Sequence, residues 1–368
     1  MNDIQYMKLA LELAKKGRGR TAPNPMVGAV IVKNGEIIAE GYHERYGQLH
    51  AERNALAACT DSPEGATMYV TLEPCSHYGK QPPCVEAILE AGISRVVVGC
   101  GDPNPLVSGW GISILREKGV EVTENVLQEE CEALNKIFFH YIRTKTPYVV
   151  MKYAMTMDGK IATHTGASKW ITGEVAREHV QKTRNELTAI MVGVGTVLED
   201  DPLLTCRIPG GKNPIRIICD TRLRTPLTAQ LVTTAGEIPT IIATCCEEKG
   251  RQAEYEKAGC RILQVGEKQG RVDLQELMQR LGEEQIDSIL LEGGSTLNWS
   301  ALESGIVQKV QTYIAPKLFG GWEAKTPVGG EGVGLPSEAY RLQNMTITSL
   351  GEDILLESEV IMNVHGNC

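Results

Sequence analysis

The chain has 368 residues, and at roughly 150 residues per folded unit that length predicts two domains. With 42% hydrophobic and 23% charged residues it has enough apolar side chains for real cores, which excludes a largely disordered protein. Its 37 basic and 46 acidic residues leave a formal charge of −9, which argues against a broad cationic surface for nucleic acid and favours small-molecule partners.

The first segment, MNDIQYMKLALELAKKG, sets Ile4, Met7, Ala10, Leu11 and Ala14 at helical spacing and ends on Gly17, so it predicts an amphipathic helix. It lacks the unbroken apolar run of a signal peptide, and nowhere do about 20 apolar residues occur in a row. A cytoplasmic protein with no membrane partner is expected. The eleven cysteines (59, 75, 84, 100, 131, 206, 219, 245, 246, 260 and 368) point the same way, being scattered as reduced thiols rather than spaced as a disulfide framework. Apolar strands follow near 26 to 32, 68 to 72 and 95 to 100, with helices after His50 and from about Cys84 to Gly92, an alternating α/β pattern. An amphipathic helix over Val126 to Ile142 is stopped by the polar run before Pro147. The boundary predicted there gives domains over 1–145 and 146–368.

The second domain opens with the strand YVVMKYAM and continues with strands at 187 to 195, 214 to 220, 239 to 245, 287 to 294 and 310 to 321. Helix-compatible stretches separate most of them. The last segment, 345 to 361, alternates and turns at Gly351-Glu352-Asp353, predicting a hairpin at the edge of a largely parallel sheet. Gly266 to Gly270 reads as a surface loop without chemistry.

His50-Ala51-Glu52 and, beyond a strand, Glu73-Pro74-Cys75 and Pro83-Cys84 bring one imidazole, two thiols and one acid to the ends of neighbouring elements. Three ligands of this type suit tetrahedral zinc and leave a fourth position for water, whereas a structural site closes with a fourth Cys or His. Zinc makes such a water acidic, and Glu52 is placed to move its proton to a leaving ammonia, which suits hydrolytic deamination of an amidine-like ring carbon. The set resembles the His-x-Glu…Pro-Cys-x-x-Cys signature of zinc deaminases, except that eight residues rather than two separate Cys75 from Cys84.

The inserted loop, SHYGKQPP, resembles the deaminase half of the bifunctional riboflavin biosynthesis deaminase/reductases, as do Pro23-Asn24-Pro25-Met26-Val27-Gly28, the run Thr71 to Gly79 and Asp102-Pro103-Asn104-Pro105. The likeness extends along nearly the whole chain. It implies a cytidine-deaminase-like α/β/α domain in which His50, Cys75 and Cys84 hold zinc and Glu52 shuttles protons. It also implies that Asn24, His43, His77, Lys80, Asp102 and Asn104 line the site for a pyrimidine ribosyl phosphate. Trp110 departs from the family, which often has a basic residue there.

In the second domain no Gly-x-Gly-x-x-Gly follows the early strands, so a Rossmann-type site is not supported. Instead Val192-Gly193-Val194-Gly195-Thr196 and Leu291-Glu292-Gly293-Gly294-Ser295 end predicted strands, where glycine turns present backbone N–H groups to a phosphate. Met157 to Ala162, Ser168 to Thr172, Gly193 to Val197, Asp200-Asp201-Pro202 and Glu292-Gly293-Gly294 resemble the reductase half of the same family, which implies a dihydrofolate-reductase-like α/β fold and NADPH as cofactor. The resemblance implies cofactor contacts at Ala154, Trp170, Thr196, Asp200, Thr221, Gly293, Gly294 and Ser295. Substrate contacts would be Ser168, Arg184, Leu204, Arg207 and Glu292. On chemical grounds Arg184 and Arg207 suit a substrate phosphate, and Lys152 and Asp200 suit positioning of a sugar near the nicotinamide.

The expected enzyme therefore uses zinc and NADPH to deaminate and then reduce one small pyrimidine ribosyl phosphate, as a homo-oligomer without nucleic-acid or membrane partners. Two other readings have distinct marks. A nucleic-acid-editing deaminase would share the zinc set but carry a basic stripe, and a zinc-stabilised binding protein would close its site with a fourth ligand such as His77.

Overall fold

Asn2 starts the chain's first helix, α1 (Asp3–Lys15), by a reciprocal cap: its side chain accepts from Gln5 N while Gln5 Oε1 accepts from Asn2 N. In the computed structural model, which describes residues 1–79, 81–104 and 107–361, this helix belongs to the first of two units, Met1–Lys145 and Thr146–Cys368. It buries Tyr6, Met7, Ala10, Leu11, Leu13 and Ala14. Ile4, which the spacing put on the apolar face, is 48% exposed. The helix packs on β1 (Gly28–Lys33) so closely that a Cβ on Gly28 would lie 1.9 Å from Ala10 O, which only glycine permits.

The first unit continues with β2 (Glu36–Tyr42), α2 (Ala51–Ala57), β3 (Thr67–Leu72), α3 (Cys84–Glu90), β4 (Arg95–Cys100), α4 (Trp110–Glu117) and β5 (Glu121–Thr123). The sheet order is β2-β1-β3-β4-β5, with β1 antiparallel to both neighbours and β3, β4 and β5 parallel. Strands β3 and β4 are buried almost throughout, which their continuous apolar runs require. The helix expected over Val126 to Ile142 is two, α5 (Gln128–Leu134) and α6 (Lys136–Thr144). Asn135 breaks it: its buried amide accepts from Met26 N and donates to Met26 O, at 2.8 and 2.9 Å, and this exchange with another segment takes its backbone out of helical geometry.

The second unit runs β6 (Tyr148–Thr156), α7 (Glu174–Glu186), β7 (Ala189–Gly193), α8 (Val194–Asp200), β8 (Ile215–Cys219), α9 (Gln230–Thr233), β9 (Thr240–Thr244), α10 (Lys249–Lys257) and β10 (Arg261–Gln264). It then forms β11 (Glu267–Lys268), β12 (Arg271–Val272), α11 (Leu274–Glu283), β13 (Ser288–Leu291), α12 (Ser295–Glu303), β14 (Val307–Ala315), β15 (Leu342–Leu350) and β16 (Asp353–Val360). One nine-stranded sheet has the order β10-β9-β8-β7-β13-β6-β14-β16-β15. It is parallel through β14, and the terminal hairpin pairs antiparallel at its edge. The chain leaves β6, builds outward through β10, and returns to insert β13 between β7 and β6. Such a switch point opens a crevice at the carboxyl ends of the strands.

Two details depart from the pattern. Gly266 to Gly270 is no bare loop, because β11 and β12 pair there as a short ribbon. Arg216, on β8, is wholly buried and its guanidinium donates only to neutral oxygens: Thr240 Oγ1, Thr234 Oγ1 and the carbonyls of Leu203, Leu231 and Ile238. Among the described residues no helix is long and apolar enough to cross a membrane.

Candidate active sites

In the first unit His50 is the N-cap of α2, Glu52 sits in that helix's first turn, Cys75 follows β3, and Cys84 opens α3. Arg53 fixes the approach to Cys84 by donating to the carbonyls of Pro82 and Pro83 at 3.2 and 2.8 Å. The donor atoms of His50, Cys75 and Cys84 lie within 4.8 Å of one another. His50 Nδ1 is 3.5 Å from Cys75 Sγ and 3.4 Å from Cys84 Sγ. With zinc–sulfur and zinc–nitrogen bonds of about 2.3 and 2.05 Å, the edge of a tetrahedron is about 3.5 Å, so this donor set fits zinc without rearrangement.

The Cys84 amide donates to Cys75 Sγ at 3.3 Å. The Cys75 thiol is held down to about 4, first by its hydrogen bond with Cys84 and then by that with His50, which favours the thiolate a metal requires. Burial pushes the Glu52 carboxyl up from its ordinary value. A buried acid beside the metal donors, readily protonated, is what a proton shuttle needs. His77 is exposed and stands outside the metal-binding cluster found among the described residues, so the mark of a closed structural site is not met there.

His43 packs edge-on against His50, with ring centroids 5.4 Å apart, and its Nδ1 lies 3.0 Å from Leu49 O. That carbonyl requires the proton on Nδ1, so Nε2 accepts from Asn24 Nδ2 at 3.4 Å. Burial lowers the His43 pKa, which keeps the ring neutral. Asp102 Oδ1 accepts from Asn104 N at 2.8 Å, and burial pushes its carboxyl up to about 6. Lys80 lies outside the described residues.

Glu73 has a part that its motif alone did not disclose. It is buried, and its Oε2 accepts from the amides of Asp102 and Gly109 while Oε1 accepts from those of Gly111 and Ile112. One carboxylate thus ties the loop bearing Asp102 to the start of α4. Gly111 allows the approach, since a Cβ there would meet Pro74 O at 2.1 Å. The only sequence signal was an acid beside a ligand cysteine.

In the second unit a cleft of about 730 Å³ opens at the carboxyl ends of β7, β8 and β13. Of the expected cofactor residues, Thr196, Asp200, Thr221, Gly293, Gly294 and Ser295 line it, as do Ser168 and Glu292 from the substrate set. The glycines lead into α12, whose N-cap Gly294 offers no side-chain cap to its first amides, and Ser295, Thr296 and Leu297 of its first turn line the cleft. The size and the phosphate-ready turn fit a dinucleotide. Ala154 is half-buried on β6, Leu204 is buried, Arg207 is exposed, and Trp170 is exposed with the Arg177 guanidinium 4.8 Å over its ring. These four are not among the residues lining the cleft.

Arg184, expected at a substrate phosphate, pairs with Glu292. Its Nε and Nη2 bind the two Glu292 oxygens at 2.8 and 3.0 Å, and its Nη1 donates to Thr205 O at 2.9 Å. Three of the five guanidinium N–H groups are engaged in this way, which fixes the side chain and leaves one N–H on Nη1 and one on Nη2. Lys152 Nζ reaches Glu292 Oε2 at 3.7 Å and sits 5.6 Å over the ring of Tyr313, whose hydroxyl lies 2.8 Å from His179 Nδ1. Tyr313 and His179 were missed, being one aromatic on an apolar strand and one histidine on a polar helix.

Two family profiles match the chain: the cytidine and deoxycytidylate deaminase zinc-binding region over residues 1–100, and the RibD C-terminal domain over 147–356. Fold and sites define an enzyme in which a zinc hydrolase of the deaminase class is joined to a reductase. The chain is 58% identical to a riboflavin biosynthesis protein RibD of Actinobacillus pleuropneumoniae, over 98% of this chain and 96% of that one. It is 40% identical to RibD of Escherichia coli K12, over 97% and 99%. Among solved structures, it is similar to Acinetobacter baumannii RibD (TM-score 0.88, 37% identity, 98% and 99% covered). It is similar also to a diaminohydroxyphosphoribosylaminopyrimidine deaminase/5-amino-6-(5-phosphoribosylamino)uracil reductase of Thermotoga maritima (0.85, 39%, 98% and 99%). The chain belongs to the RibD family of bifunctional riboflavin biosynthesis deaminase/reductases. Its cofactors are zinc and NADPH.

Proposed function

We propose that residues 1–145 deaminate the 2-amino group of 2,5-diamino-6-ribosylamino-4(3H)-pyrimidinone 5′-phosphate, and that residues 146–368 then reduce the ribosyl chain to give 5-amino-6-(5-phosphoribitylamino)uracil. The observation that carries this reading is the convergence of His50, Cys75 and Cys84 beside a buried Glu52 in one unit, with a charged, glycine-rimmed cleft in the other. Bound at these places, zinc supplies an acidified water and NADPH supplies hydride.

The chain's own residues do the rest. Glu52 takes the proton from the attacking water, which its raised pKa favours, and delivers it to the departing amine. Asn24, the neutral His43, Asp102, Asn104, His77 and Lys80 surround the pyrimidine ribosyl phosphate. In the reductase unit Gly293, Gly294 and Ser295 take the cofactor's phosphates, with Thr196, Asp200, Thr221, Ala154 and Trp170 along its length. Lys152 and Glu292 hold the sugar hydroxyls, and Arg184 fixes the Glu292 carboxylate while its remaining N–H groups serve the substrate. Ser168, Leu204 and Arg207 complete the substrate set. The protein acts in the cytoplasm, as a homo-oligomer.

Mass spectrometry of products tests the scheme, with the diaminopyrimidinone ribosyl phosphate supplied first alone and then with NADPH. Deaminated ribosyl product alone and ribityl product with NADPH are expected. No conversion by folded, zinc-replete protein refutes the substrate assignment.

A further inference from the structure

A row of four polar side chains crosses the sheet of the second unit from the cleft toward the terminal hairpin. Leu291 on β13 pairs with Met151 on β6, so Glu292 comes level with Lys152; Lys152 pairs with Gln311 on β14, and Gln311 with Glu357 on β16. Residues paired in register leave the same face of a sheet as neighbours, with their strands about 4.8 Å apart. Helix α7 covers this face, its Ala176 and Val180 packing with Tyr313 and Leu355. The row therefore joins the cleft, which Glu292 lines, to the interior beneath a helix.

At the far end of the row the Gln311 amide is fixed. Gln311 is buried, its Nε2 donates to Glu357 Oε1 at 3.0 Å, and Lys309 Nζ lies 2.7 Å from the same oxygen. Burial would raise the Glu357 carboxyl, but hydrogen bonds from Lys309 and Gln311 hold it below its ordinary value, so it stays an acceptor and keeps the amide nitrogen turned toward it. The amide's other end, Oε1, is buried and has no hydrogen-bond partner among the described residues. An acceptor buried unmet is costly, and the cation beside it in the row is Lys152, whose ammonium has three N–H donors. Tyr313, two residues further along β14, bounds the same lysine: Lys152 Nζ sits 5.6 Å from its ring centre, where the negative face of the ring attracts an ammonium. The hydroxyl of this wholly buried tyrosine is tied to His179 Nδ1 of α7, which fixes the ring.

We propose that Gln311 and Tyr313 are positioning residues for the reduction: Gln311 Oε1 and the Tyr313 ring hold the Lys152 ammonium against Glu292, and each acts through Lys152 rather than by touching substrate. The proposal rests on the reading of Lys152 as a residue that holds the sugar, and adds what sets its place. A lysine has a flexible four-carbon stem, so an ammonium that must meet one sugar hydroxyl needs contacts on more than one side.

A double-mutant cycle on full-length protein tests it. Gln311→Met and Tyr313→Leu, each alone and combined with Lys152→Ala, are compared for NADPH oxidation with the deaminated ribosyl compound and for calorimetric binding of the ribityl product and of NADPH. With Lys152 present, each substitution is expected to lower kcat about tenfold to a hundredfold and to weaken product binding, with NADPH affinity unchanged. In the Lys152→Ala background the same substitutions should add less than about twofold to either loss, because the residue they act through is gone. Tyr313→Phe, which keeps the ring, should stay within about threefold of wild type. Gln311→Met, close to the native side chain in volume, carries the cycle if the cavity left by Tyr313→Leu unfolds the unit, and product binding carries it if Lys152→Ala turns over too slowly to measure. Equal losses in both backgrounds, no loss with Lys152 present, or a parallel loss of NADPH affinity overturns the proposal. Unchanged turnover and product binding in Lys152→Ala alone refutes the role of Lys152 itself, a result distinct from failure of the cycle.

Discussion

Arg184 and Glu292 meet through two parallel hydrogen bonds, Nε to Oε1 at 2.8 Å and Nη2 to Oε2 at 3.0 Å. Burial would raise the Glu292 pKa, but the Arg184 charge, then Lys152, outweigh it and hold the carboxyl at about 2 against an ordinary 4.5. A depressed acid contributes stability that is complete above the unfolded value and is lost as pH falls through the folded one. Glu292 should therefore contribute on the order of 3 kcal/mol at neutral pH, disappearing between pH of about 4.5 and 2. Urea unfolding followed by tryptophan fluorescence checks this, since Trp170, Trp299 and Trp322 lie in the second unit. Glu292→Gln should be less stable than wild type at pH 7, and the gap should close in acid. A gap constant down to pH 2 contradicts the account.

Removing the metal should separate the two activities. After treatment with a strong chelator, ammonia release should cease, while NADPH oxidation with the deaminated ribosyl compound continues, because the reductase cleft contains no residue of the His50, Cys75, Cys84 set. Restoring zinc should restore ammonia release. Parallel loss of both activities would mean that zinc supports more than deamination.

Glu52→Gln should lower deamination by about 10²- to 10⁴-fold, the usual range for loss of a positioned proton-transfer group. Zinc content measured by elemental analysis should not change, since Glu52 is not one of the three metal donors. A variant that loses zinc in step with activity would make the residue a support for the metal.

Glu73→Gln should act on stability rather than chemistry. The amide would turn an NH2 toward two of the four backbone N–H groups now bound by the carboxylate, and buried unmet donors cost about 1–3 kcal/mol each. Hydrogen exchange at Gly109, Gly111 and Ile112 should accelerate by at least tenfold relative to β3. Unchanged exchange there would show that the carboxylate is not what holds this turn.

What the sequence disclosed follows from the range of the interactions involved. The zinc donors were legible because each sits at an element's end within 35 residues of the others, flanked by proline and an acid. The buried strands β3, β4, β7 and β13 were legible as unbroken apolar runs. Strand β2 was not, because Glu36, Glu40 and Gly41 interrupt its hydrophobic pattern, and β5 has only three residues. Asn135 broke a convincing helix through its bond to Met26, 109 residues earlier, which no local pattern reveals. In the same way, Arg184 has the chemistry of a phosphate ligand in the sequence and meets Glu292 only after 108 residues of chain have folded back.

The buried guanidinium of Arg216 has a consequence for how acid should dismantle the reductase unit. Its partners are hydroxyl and carbonyl oxygens, none of which titrates, and arginine keeps its proton throughout the accessible range even though burial lowers its pKa. The contacts of this guanidinium with β9 and the α9 segment are thus insensitive to pH, whereas the clasp at Glu292 dissolves as its carboxylate takes a proton. Acid should therefore slacken the Glu292 end of the cleft first and leave β8 anchored to its neighbours, so that one wall of the cleft loosens while the opposite wall still stands.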